Sequence, residues 1–155
     1  MATTYSAPGY TANYGRAGPT GFSKTPFQLH DTAAVGSPVI NDVVNFGYLP
    51  NNAIVTACVL KAASQLDSNG SPTLTYDVGV TGTAQLFKAA VTTVGRASGA
   101  SADATVAAAG MLYKNTTGAD QLVIVTAHAG AMTGAAGTLE LQLEYFFEPT
   151  AGSQA

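Results

Sequence analysis

Residues 138–148 read TLELQLEYFFE, and this stretch decides the fold class. Leu139, Leu141, Leu143, Tyr145 and Phe147 fall on one face of an extended chain, with Glu140, Gln142, Glu144 and Glu148 on the other. Successive side chains of a strand point to opposite sides, so this period of two describes an antiparallel strand with one buried and one wet face. Residues 73–80 (TLTYDVGV) repeat the pattern, with Leu74, Tyr76 and Val78 inward and Thr73, Thr75 and Asp77 outward. Residues 53–63 (AIVTACVLKAA) and 121–127 (QLVIVTA) are apolar on both faces. Such strands are either central and covered or lie at a subunit contact. A further strand is predicted over 39–48, stopped by Pro50, which has no N–H to donate.

The sequence between these stretches is turn chemistry. Leu49-Pro50-Asn51-Asn52 and the run from Asp67 through Asn69-Gly70 to Pro72 are rich in residues that tolerate a positive φ, and Gly130 to Gly137 reads as a loop. One segment has helical spacing instead. Leu86, Phe87, Ala90, Val91 and Val94 would line one side of a short helix after Thr83. Several short strands about ten residues apart, with one small helix, predict an all-β domain, a β-sandwich or jelly-roll-like fold, over residues 27–149. Residues 150–155 are read as a flexible C-terminal tail.

Residues 1–26 differ in kind. They hold Pro8, Pro19 and Pro26 and four glycines, a poor composition for a helix or a central strand. Yet Tyr5, Tyr10, Tyr14 and Phe22 are spaced along them, and disordered tails are poor in aromatics. The stretch therefore reads as an extended arm that lays its rings on a partner, with Arg16 as a further anchor; aromatic and Arg side chains carry most interface energy.

Composition narrows the function. The chain has 155 residues, a charged fraction of only 10% and a net charge of −3. So few cations cannot release many phosphate counterions, which argues against a nucleic-acid partner. No run of about 18 apolar residues marks a membrane span, and the first 20 residues lack the basic start and apolar core of a signal peptide. Synthesis in the cytoplasm is the expectation. The sparse charge suits a surface partly covered by other subunits, and a homo-oligomer, most simply a trimer, is expected from the two-sided apolar strands. No catalytic, cofactor-binding or metal-binding residues are expected. His30 and His128 have no partner motif, Cys58 sits inside an apolar run, and Asp67-Ser68-Asn69-Gly70 starts like a calcium loop but lacks its terminal acidic residue. Glu140, Glu144 and Glu148 are about 14 Å apart in succession along one strand, too far for paired-carboxylate hydrolysis. The chain reads as non-enzymatic.

Two blocks carry a resemblance: Phe46-Gly47-Tyr48-Leu49-Pro50-Asn51-Asn52-Ala53-Ile54-Val55, and Leu66-Asp67-Ser68-Asn69-Gly70-Ser71-Pro72 running on through Thr73 to Gly79. With Leu86-Phe87 and the closing Glu144-Tyr145-Phe146-Phe147-Glu148, they resemble small structural proteins encoded among the head genes of tailed bacteriophages, over roughly residues 39–148. The resemblance implies a head decoration (cement) protein of the virion. It would bind the outer capsid surface, commonly as a trimer, with the major capsid protein as partner. Tyr5, Tyr10, Tyr14, Arg16 and Phe22 are then the capsid-contact candidates, on the strength of the arm's own composition. The alternative is a phage receptor-binding or fibre-tip attachment module, against which the Gly-, Ala- and Thr-rich loops weigh.

Overall fold

The computed structural model describes residues 1–6 and 26–147. Among them are nine strands: β1 (Thr4–Ser6), β2 (Phe27–Val35), β3 (Val43–Leu49), β4 (Ala53–Ala62), β5 (Thr75–Val80), β6 (Thr83–Val91), β7 (Ser101–Asp103), β8 (Gln121–Ala129) and β9 (Gly137–Phe147). They form two sheets, in the orders β1-β3-β8-β5-β6 and β2-β9-β4-β7. Only β1 pairs in parallel, Thr4 to Ser6 lying beside Val43 to Asn45. The chain is all-β, a two-sheet sandwich.

The alternating stretch at the C-terminal side is β9, the centre of the second sheet. It pairs with β2 without a break from Phe27↔Tyr145 to Val35↔Gly137, and with β4 on its other side. Leu139, Leu141, Leu143 and Tyr145 are buried, facing Phe46, Val78, Val123 and Val125 of the first sheet. The two-sided apolar stretches are β4 and β8, each flanked by strands on both sides. Sandwich ends are defined by these pairings. Phe27, Leu49, Ala53 and Phe147 mark one end, where Phe27, Tyr145 and Phe147 stack edge and face with centroids 5.5–5.8 Å apart. Val35, Val43, Ala62 and Gly137 mark the other.

The expected helix after Thr83 is instead strand β6, and no helix occurs among the described residues. The cause lies in its pairing with β5. From Tyr76 to Val78, β5 advances two residues while β6 advances three, from Val91 to Lys88; from Val78 to Val80 it advances two against five. These extra residues bulge out, and Ala90 takes a left-handed φ of 48°. A bulged strand loses its period of two, and its buried residues Leu86, Phe87, Val91 fall at a spacing that mimics a helix.

The same bulge corrects the expected outward face of β5. All six residues of β5 are buried, Thr75 and Asp77 included. The stretch after Thr83 folds over the outer side of β5, and Gly79 permits it. A Cβ there would overlap the Thr83 carbonyl oxygen and sit 2.6 Å from the Ala84 carbonyl carbon. Backbone cannot swing away as a side-chain tip does, so Gly79→Ala is expected to cost about 3 kcal/mol in urea denaturation. Gly70→Ala, where nothing lies within 4 Å, should stay within about 0.5 kcal/mol. Equal effects at the two sites would refute the crossing of β6 over Gly79.

Candidate interface surfaces

The arm candidates divide. Tyr5 lies in β1, half-buried against the core cluster of its own domain, with its hydroxyl against Gly36. Its strand is fastened by the Val43 N–H donating to Thr3 O at 2.8 Å and by the Thr3 N–H donating to Asp42 Oδ1. Tyr10, Tyr14, Arg16 and Phe22 lie outside the described residues, as does the 150–155 tail.

At the Val35 end the loops rest on two buried carboxylates. Asp42 also accepts the Val39 N–H at 2.9 Å. Asp67 is fully buried and accepts five backbone N–H groups: Asn69 and Thr133 on Oδ1, Thr73, Leu74 and Met132 on Oδ2, at 2.8–3.3 Å. Burial alone would raise its pKa, but these donors outweigh it and hold the carboxyl down to about 2. The residue read as a plain turn former is thus the hub joining the β4–β5 and β8–β9 loops.

Several charged groups among the described residues are committed to the fold. Lys88 of β6 is buried and reaches across the open side of the sandwich to Asp103 of β7, with Nζ to Oδ1 at 2.8 Å, and it also donates to Thr105 O. Asp103 accepts from Thr93 Oγ1 and from the N–H and hydroxyl of Thr105. Burial acts to raise the Asp103 pKa, and the bonds from Lys88 and Thr105 overcome it and lower it. His128 Nδ1 lies 2.8 Å from Asp77 Oδ2. Asp77 also accepts Gln85 Nε2 and the Ala90 N–H at 2.7 Å, so this pair holds the β6 bulge in place. On the outer face of the second sheet His30 and Lys61 both meet Glu140 Oε1, at 2.9 and 3.0 Å, and Lys61 foremost lowers that carboxyl's pKa. Burial pushes the Cys58 thiol up to about 12, which leaves it a small core hydrophobe rather than a nucleophile. No three of His, Cys, Asp or Glu among the described residues are placed to share a metal.

What the described surface offers instead is apolar. The first sheet's outer face carries half-buried Tyr48 paired with Leu122, and Ile124 beside Asn45. Large exposed side chains stand toward both ends, Val39, Ile40 and Met132 at the Val35 end and Met111 with Leu112 beside the β4 edge at the level of Val55, which shares its row with Phe27. Sequence reading missed these: the strand expected over 39–48 starts only at Val43, so Val39 and Ile40 lie in a turn, and the exposure of Met111, Leu112 and Met132 depends on how their loops fold.

Solved structures share this fold. A chain of the Ralstonia phage GP4 capsid is 26% identical, matching 96% of this chain and 100% of that one with a TM-score of 0.74. The chain is similar to phage capsid proteins. A second match, in the cyanophage Pam1 capsid asymmetric unit, is also 26% identical, covering 87% of this chain and 95% of that one at a TM-score of 0.68. No family model and no curated protein matches the sequence.

Proposed function

We propose that the protein is a virion structural protein that binds the outer surface of an assembled phage capsid and stabilises it, a decoration or cement protein without enzymatic activity. The observation that carries this is the capsid similarity over 95–100% of each neighbour's length, so the whole domain recurs in a capsid setting rather than a fragment of it. The strand order supports it. β2-β9-β4-β7 packed on β3-β8-β5-β6 is the double Greek key of a jelly roll, an architecture that recurs in viral capsid domains. Polar groups spent on internal bridges, with apolar tips outside, suit a subunit whose task is contact. A ligand that binds only the assembled shell stabilises that shell by mass action.

The major capsid protein is the partner in this reading, and Tyr10, Tyr14, Arg16 and Phe22 are its contacts, with Tyr5 fastening the arm's first residues to the sandwich. Self-association as a trimer is supported by Tyr48, Leu122 and Ile124 on the outer face of the first sheet. Light scattering of the purified protein tests the trimer, with a monomer at all concentrations as the contrary result. The contact reading is tested by replacing Tyr10, Tyr14 and Phe22 with Ser and sedimenting the protein with bare capsids. Binding should weaken at least tenfold at an unchanged melting temperature. Full binding would assign the interface to the sandwich, and a lower melting temperature would place these rings in the domain's own core.

A further inference from the structure

We infer that the domain stands on the shell by its Phe27 end, with Met111 and Leu112 seated in an uncharged apolar depression of the capsid surface; this rests on the decoration reading above. Three observations point to that end. β1 runs parallel to β3, which finishes at Leu49 on the Phe27 end, so Ser6 leads toward this end; β2 begins there, with residues 7–25 between the two strands. Those 19 residues could span about 65 Å if extended, while their two attachment strands are neighbours on facing sheets. The chain there is far longer than its ends require, and it carries Tyr10, Tyr14, Arg16 and Phe22.

The second observation is strain. Leu112 has a φ of 57°, in the left-handed region where a Leu is costly, and its side chain is 62% exposed. A strained residue left mostly exposed is the kind of outlier found at binding sites. The third is rigidity. The Leu112 N–H donates to Val55 O and the Val55 N–H to Tyr113 O, so the turn is laced to the edge of β4. Buried Asn115 Nδ2 donates to the carbonyls of Leu49, Pro50 and Ala119, tying the neighbouring loops together. A preorganised apolar tip loses little entropy on docking. Its two side chains offer far less area than a free dimer needs, which fits a contact that acts only on a shell alongside the arm.

The test is sedimentation of the full-length protein with bare capsids at a series of concentrations, with melting temperatures alongside. Met111→Ser with Leu112→Gly should weaken binding at least tenfold, while the melting temperature holds or rises, since Gly relieves the left-handed strain. Ile40→Ser with Met132→Ser, at the opposite end, should bind within twofold of the unaltered protein. The reverse pattern, or no loss from the Met111 and Leu112 changes, would overturn the orientation. Failure of the unaltered protein to bind capsids would defeat the decoration reading itself, and is visible before any variant is made.

Discussion

Replacing Asp67 by Ala is expected to lower stability by about 3 kcal/mol, because buried N–H groups left without an acceptor each cost about 1–3 kcal/mol and water can reach only some of the five. Asp67→Asn should be nearly as damaging. Both oxygens accept, three donors on Oδ2 and two on Oδ1, so an amide nitrogen in either position would face N–H groups. An Asn variant as stable as the parent in urea denaturation would show that the charge and second acceptor are unimportant. The same residue sets an acid limit. Its carboxyl is held down to about 2 in the folded protein, against about 3.9 in an unfolded chain. The stability it contributes is complete above roughly pH 4 and is lost as pH falls toward 2. Asp103 and Glu140, also lowered, add to the loss in the same direction. A melting temperature flat from pH 5 to pH 2 would contradict this, and the Asp67→Ala variant should show a shallower acid decline than the parent.

Breaking the Lys88–Asp103 bridge should cost as much or more. Lys88→Met leaves the Asp103 carboxylate, 14% exposed, without its cation, and removing one partner of a buried pair costs about 3–5 kcal/mol. Removing both charges should be far milder. In Lys88→Met with Asp103→Asn, the new amide keeps an acceptor for Thr105 and has an N–H to offer the Thr105 carbonyl. The double variant should recover at least half of the single variant's loss. Losses that simply add would mean that the two residues do not depend on each other, and that the sandwich's open side is closed by packing alone.

How much of this was legible beforehand follows from what each residue answers to. β9 was readable because it pairs on both sides and the one bulge in those pairings falls in β4, between Val55 and Ala57, so its own side chains alternate without interruption from Leu139 to Tyr145. The double-sided apolar runs of β4 and β8 were readable for the same reason, as strands inside a sheet. β6 was not, since its bulges are set by β5 crossing at Gly79, a contact between residues whose meaning is visible only when paired. Asp77 was placed outward correctly by alternation but is buried there by Gln85, His128 and the bulge. Lys88, a lone cation within LFKAAV, was the one local hint of an internal ion pair. Asp67 gave no such hint. A turn-forming Asp and a loop hub have the same sequence, and only the approach of Met132 and Thr133 from 65 residues away distinguishes them. The interface tips were equally silent, being loop residues selected by exposure.

The proposed place on the outside of a phage head is tested by a difference map. Electron cryomicroscopy of particles with the protein and of particles lacking it would be compared at a resolution that separates sheets. Extra density is expected on the outer capsid surface at repeated symmetry-related positions, fitted by the two-sheet sandwich with its Phe27 end toward the shell. Extra density confined to the tail or a fibre tip would contradict it and support an attachment module instead.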